Sequence, residues 1–167
     1  MNDIDDPCAQ AAALARTLIA GRADLYNPLA PFPSDIWAAM GKAGMLGLGL
    51  PREYGGGGRG YPELLAACEA FVQAGANPGL ASAWLGHTLI GRLILGGGGS
   101  QEQKRDYLPR LAAGTLTAAI AISEPNAGAH PKRLSATARR DGEHWILNGD
   151  KAWITNGPIA GLYIVLA

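Results

Sequence analysis

The sequence predicts an α+β chain: an N-terminal α-helical domain over residues 1–115, followed by an incomplete antiparallel β domain over residues 116–167. Three observations carry that expectation. Up to Gly114 the apolar residues recur at helical spacing between recognisable caps. Beyond it the period falls to two. Two strong turn dipeptides, Asp141-Gly142 and Asn148-Gly149, then divide short apolar runs.

Asp6-Pro7 reads as an N-cap with proline at the first helical position, and Ala11, Leu14 and Leu18 share the face that follows. A proline-rich link, Pro28 to Pro33, precedes Ser34, which can cap a helix that turns Ile36, Trp37 and Met40 inward and closes at Gly44. Pro62 starts a helix carrying Leu64, Leu65, Cys68, Phe71 and Val72, and an apolar helix runs from about Gly79 to Leu95. Ser100 and Gln103 form a capping-box pattern; Pro109 is expected to bend the helix they open, and Gly114 to end it. Thr117 to Ile122, His144 to Leu147 and Lys151 to Thr155 read as strands, and Leu162 to Ala167 as a strand buried on both faces. A terminal strand of that kind invites pairing, so a missing partner region is expected beside it.

Fourteen basic residues balance fourteen acidic ones, which gives no electrostatic reason to expect nucleic acid or an anionic membrane as partner. Cys8, Cys68 and the three histidines are dispersed and show no metal-ligand spacing, and two distant cysteines make no disulfide framework. The first residues, Met1 to Asp6, are acidic and unlike a signal peptide, so the cytoplasm is the expected compartment. Residues 78–98 are apolar with Arg92 as their single charge, yet His87, Thr88 and several glycines interrupt them; a helix buried between helices is expected, not a membrane span.

Single motifs decide little. Gly55-x-Gly57-x-x-Gly60 matches a dinucleotide fingerprint literally, but no acidic residue stands near position 80 to hold a ribose, and a glycine loop is the better reading. Gly96 to Gly99 lacks the lysine of a phosphate-binding loop. His87 reads as a hydrogen-bonded histidine on an apolar helix. No carboxylate pair and no nucleophile elbow is present.

The combination is more specific. Ala121-Ile122-Ser123-Glu124-Pro125-Asn126-Ala127-Gly128, followed by Asn148-Gly149-Asp150-Lys151-Ala152-Trp153-Ile154-Thr155-Asn156-Gly157, resembles the acyl-CoA dehydrogenase family. Gly47 to Gly56, Gly99 to Lys104 and Tyr107-Leu108-Pro109 extend the resemblance upstream in the same order. It implies a helical domain, a middle β domain and a C-terminal helical bundle, the last absent from this chain, with FAD between β domain and bundle. By that resemblance the cofactor-binding residues are Ile120, Ile122, Ser123, Trp153, Ile154 and Thr155. Ile122 offers backbone groups and Ser123 its hydroxyl near the pyrimidine end of the flavin; Trp153 packs on the ring face away from substrate, and Thr155 bonds near N5. Taken singly, Trp153 reads equally as a core aromatic, Thr155 as a β-branched strand residue and Ser123 as a loop cap.

The implied reaction is α,β-dehydrogenation of an acyl-CoA thioester in fatty-acid metabolism, with electrons passed to a separate carrier. The family's catalytic glutamate belongs to the C-terminal bundle, so no catalytic residue is expected in this chain, and Glu124 is expected to fix its loop by hydrogen bonds. Where the family has a substrate-touching serine, this chain has Ala129, followed by His130 and Pro131. A flavin-dependent monooxygenase or oxidase of the same fold is the rival enzyme; a non-catalytic remnant or interaction module is the rival of another class. A homo-oligomer or a complementing C-terminal polypeptide is the expected macromolecular partner.

Overall fold

The computed structural model describes residues 5–27, 29–127 and 130–167. Five helices lead, and each is built on a visible local cause. In α1 (Pro7–Leu18) the Asp6 carboxylate accepts from the Ala9 N–H at 3.0 Å, and Ala11 and Ala15 are buried where the helix packs on the later helix Tyr61–Gln73. Such a cap is worth about 1 kcal/mol. Helix α2 (Ser34–Lys42) buries Ile36, Trp37 and Met40, as the spacing requires. Ser34 is its first helical residue and not its cap: Pro33 holds that place, and the Ser34 hydroxyl turns back to the Phe32 carbonyl.

Helix α3 (Tyr61–Gln73) places Leu64, Ala67, Cys68 and Phe71 on one face, and α4 (Pro78–Leu89) is capped by the Asn77 side chain, which accepts from Gly79 N–H at 2.7 Å. The apolar run beyond α4 does not continue as α-helix. It relaxes into a π-helical segment, Ile90–Leu95, and a last turn, Gly96–Gly98, where glycines weaken the helix. Helix α5 (Gln101–Ala112) opens on the complete Ser100/Gln103 capping box and continues through Pro109.

Two adjoining cores result. The larger gathers α1 to α4 around Trp84, Phe71, Met40 and Leu46. The smaller joins Leu50, Ile90, Leu108 and Leu111 to Leu116 and Ala118 at the start of the β region. Close approach of backbones requires glycine where α2 meets the end of α5: a Cβ on Gly41 would run into the Ala113 carbonyl oxygen.

The β region holds β1 (Ala118–Ala121), β2 (Thr137–Asp141), β3 (His144–Asn148) and β4 (Leu162–Val165). Strands β2 and β3 form an antiparallel hairpin over Asp141-Gly142, in register Thr137↔Asn148 to Asp141↔His144. The other pair, β1 with β4, is parallel, in register Ala118↔Leu162 to Ala121↔Val165. The antiparallel expectation holds for the hairpin, while β1 and β4 add a parallel pair: the whole hairpin and the loop after it form the crossover that such a pair needs. Strand β4 is half-buried, not buried on both faces. Leu162 and Ile164 pack on the smaller core while Tyr163 and Val165 face outward.

Lys151 to Thr155 is not a strand either. Asn148-Gly149 turns the chain into an irregular segment in which Trp153 (φ 60°) and Asn156 (φ 64°) both adopt the left-handed conformation. No ladder can run through two such residues.

His87 ties the two regions together. Its Nε2–H donates to the Leu111 carbonyl at 3.0 Å, and its Nδ1 accepts from the Ala118 N–H at 3.3 Å. Both partners have fixed roles, so the ring is held neutral in one tautomer. Trp37 stands edge-on to it, and the Trp37 indole N–H donates to Thr117 Oγ1 at 3.1 Å. Burial pushes the His87 imidazole down to about 4. Because the unfolded chain binds the proton near pH 6.5 and the folded chain does not, stability falls as pH drops from about 6.5 to about 4, with no further loss below. Urea unfolding across that window should show this loss. His87→Leu should abolish the His87 part of the slope and lower stability by roughly 2–5 kcal/mol at pH 7, since two buried backbone groups lose their partner.

Candidate functional site

Where β1 ends, the chain enters the Ile122-Ser123-Glu124 loop, and Glu124 organises what surrounds it. The carboxylate is 3% exposed. It accepts from the Ser135 N–H and hydroxyl, both at 2.7 Å, from the Ala136 N–H at 2.9 Å, and from Lys151 Nζ at 2.9 Å. Lys151 first, then the Ser135 hydroxyl and the two backbone donors, hold its carboxyl down at about 2. Lys151 also donates to the Ile122 carbonyl at 3.1 Å, and the next residue, Ala152, gives its N–H to the Ser123 carbonyl at 2.9 Å. The two motif segments, far apart in sequence, are thus joined side by side.

The expected cofactor-binding residues fall around this junction unevenly. Ile120 is inside β1, opposite Ile164. Ile122 has its carbonyl engaged by Lys151, which narrows the backbone groups it can offer. The Ser123 and Thr155 hydroxyls make no hydrogen bond to any described residue. Trp153 is 91% exposed, the opposite of a core aromatic, and shares with Ile154, Ala121, Leu147, Tyr163 and Val165 an open groove of about 620 Å³. Thr155 opens on another side, into a cavity of about 510 Å³ whose wall includes Leu80, Ala83, Asn156 and Phe32. Trp153 and Thr155 therefore flank Ile154 and face different depressions. Ala129 lies outside the described residues.

Two residues that sequence reasoning did not single out complete the site. Asn156 is buried in its left-handed conformation, and its Nδ2 donates to the Ala83 carbonyl of α4 at 2.9 Å and to the Ala118 carbonyl of β1 at 3.3 Å. Lys151 supplies the cross-links already described. The lysine sits within the Asn-Gly-x-Lys motif, but nothing in its spacing marks Glu124 as the partner. For Asn156 the one available signal is its tolerance of positive φ next to Gly157. Among the described residues no group of three or more His, Cys, Asp or Glu could hold a metal ion. No helix of the described residues is long and apolar enough to cross a membrane.

A helical unit followed by a small β region, with the two motifs meeting at a buried Lys–Glu pair, places the chain in the α+β class. Comparison with known proteins makes this specific. Residues 8–115 match the acyl-CoA dehydrogenase N-terminal domain and residues 119–167 the acyl-CoA dehydrogenase middle domain, so the chain belongs to the acyl-CoA dehydrogenase family. It is 40% identical over 133 residues to the mitochondrial isovaleryl-CoA dehydrogenase of Pongo abelii, a match covering 80% of this chain and 31% of that protein. The chain therefore spans about a third of that relative. The fold is similar to that of a glutaryl-CoA dehydrogenase from Mycobacterium smegmatis in complex with FADH2 (TM-score 0.87, 32% identity, all of this chain and 42% of the other). It is also similar to the prolyl acyl carrier protein oxidase AnaB (TM-score 0.87, 30% identity, 96% of this chain and 43% of the other).

The Glu124 network has a measurable acid limb. Its folded carboxyl titrates below the ordinary 4.5, so its stabilisation is complete above about pH 4.5 and is lost as pH falls toward about 2. Glu124→Gln should therefore be less stable than the parent at pH 7. The gap should narrow steadily below pH 4.5 in thermal or urea unfolding; a gap independent of pH would contradict the charge-assisted network.

Proposed function

We propose that this chain supplies the flavin edge of an FAD-dependent acyl-CoA dehydrogenase. The observation that carries the reading is the meeting of both family motifs at one junction, with the Ser123 and Thr155 hydroxyls unbonded among the described residues and the Trp153 indole exposed. These residues fit the group: a planar apolar ring system with polar edges wants an aromatic face to stack on and hydroxyl donors at its rim. Ser123 would hold the pyrimidine side, Thr155 the N5 side, and Trp153 the face turned from substrate, with Ile122 and Ile154 as neighbours and Ile120 fixing β1 beneath. The chemistry FAD supplies when bound is acceptance of the β-hydride at N5. The chain's part is to place donors in advance where negative charge collects, at no cost of reorganisation.

Removal of the α-proton we assign to a glutamate in the C-terminal helical bundle of the family, a part of the relatives that this chain does not span. As macromolecular partner we propose a homo-oligomer or a complementing C-terminal polypeptide, of which only the latter could bring that glutamate. We take the domain division as 1–115 and 116–167, and the setting as fatty-acid metabolism with a separate electron carrier. The cytoplasm remains the compartment favoured by two unpaired thiols, Cys8 and Cys68. The similarity to an acyl carrier protein oxidase, together with Ala129 in place of the family's serine, favours a second reading in which an oxidase of the same fold takes a different acyl carrier.

Titration of the purified chain with FAD, followed by flavin fluorescence, should show saturable binding. Ser123→Ala and Thr155→Val should each weaken it about five- to tenfold, the worth of one hydrogen bond. The chain alone should not bleach with an acyl-CoA under anaerobic conditions; bleaching without any partner would overturn the assignment of the base. Reduction of oxygen with acyl carrier protein thioesters, but none with acyl-CoA, in the completed enzyme would select the oxidase.

A further inference from the structure

Two hydrogen-bonded anchors, Lys151 and Asn156, hold the Trp153-Ile154-Thr155 turn from opposite ends. We propose that Lys151 and Asn156 are positioning residues that clamp this turn, so that FAD meets a preformed edge; the proposal rests on the flavin reading above and concerns what holds that edge in place.

The turn has little reason to keep its shape unaided. Trp153 and Asn156 both sit at positive φ, an arrangement that costs a non-glycine residue free energy and persists only where the surroundings over-determine it. Within the turn, Gly157 N–H donates to the Ile154 carbonyl at 2.9 Å and Ile159 N–H to the Asn156 carbonyl at 3.0 Å. Both bonds lie at its C-terminal end. The N-terminal end is fixed by Lys151, whose ammonium is shared between the Ile122 carbonyl and the Glu124 carboxylate, and by the Ala152 N–H on the Ser123 carbonyl. Lys151 therefore sets the spacing between the Ser123 side of the site and Trp153.

Asn156 does the corresponding work at the other end. Its amide nitrogen is aimed at two carbonyls, one on α4 (Ala83) and one on β1 (Ala118), and so docks the turn on both regions at once. The same docking places the Thr155 methyl against α4, where a Cβ built on Gly86 would lie 3.7 Å from Thr155 Cγ2. Thr155 is thereby located by contacts that leave its hydroxyl unused.

The test compares Lys151→Met, Asn156→Gly and Asn156→Asp with the parent chain. Glycine keeps the left-handed backbone and removes only the donor. Aspartate keeps the shape but points a carboxylate at two carbonyls. FAD affinity should fall about tenfold in Lys151→Met and Asn156→Gly, and further in Asn156→Asp. The reduction potential of bound FAD should shift in Asn156→Gly, a change that loss of global stability does not produce. Amide hydrogen exchange at Gly157 and Ile159, without cofactor, should accelerate at least about tenfold in the same two variants. Parent-like affinity and potential in both variants would overturn the proposal, even with faster exchange. Should the parent chain take up no FAD, the flavin reading itself fails and exchange alone decides the clamp: faster in both variants upholds it, unchanged in either refutes it.

Discussion

The arrangement of the β region depends on one buried ion pair, Glu124 with Lys151. A carboxylate almost sealed from solvent is costly unless its oxygens are met, and here three protein donors besides the ammonium meet them. The carboxylate and its donors come from three stretches of chain: Glu124 from the loop after β1, Ser135 and Ala136 from the residues leading into β2, and Lys151 from the segment after β3. Each stretch alone is short, mostly exposed and poor in apolar contacts; β2 buries nothing at all. Without the carboxylate there is no apolar reason for them to meet. The pair's contribution is therefore geometric before it is energetic, since a buried ion pair need not outperform an apolar substitute in stability yet admits few alternative arrangements.

A second constraint joins that network to the helices. The peptide groups of Ala118 are bound on both sides by side chains: its N–H by His87 Nδ1 and its carbonyl by Asn156 Nδ2. Strand β1 thus has β4 along one edge and, at Ala118, side chains along the other, so that this part of its edge is closed to further pairing. Because His87 also binds α5 through Leu111, and Asn156 binds α4 through Ala83, the turn that carries Thr155 is registered against the helical region through β1. A neutral histidine suits this place better than a charged one, since a second ring proton would point at the Ala118 N–H.

What was legible in the sequence follows from the range of the interactions concerned. The Asp6 cap, the Ser100/Gln103 box and the hairpin over Asp141-Gly142 are local, and their signals lie within a few residues. The change from helices to strands after Gly114 was legible for the same reason. The parallel pairing of β1 with β4 was not, because the residues that decide it are separated by the entire hairpin, and apolar runs of four residues carry no direction. The strand expected at Lys151 to Thr155 failed for a different cause: β-prone side chains were overruled by the left-handed backbone of Trp153, within a segment whose ends long-range hydrogen bonds hold. Of the site, Ser123, Trp153 and Thr155 could be named from a family pattern, whereas Lys151 and Asn156 became visible only when their partners did. The helix expected to Leu95 is helical throughout but winds as π-helix from Ile90, where Gly91 packs close to Leu50.

The exposed indole of Trp153 closes the reasoning about the site. A large aromatic surface left in water forgoes the gain that burial brings to such side chains, and a left-handed backbone at a bulky residue adds strain. Nothing among the described residues offsets either cost, although Lys151 and Asn156 enforce both. On the flavin reading proposed above, a flat ring stacked on the indole would cover that surface, and the strained conformation is the one that would receive it.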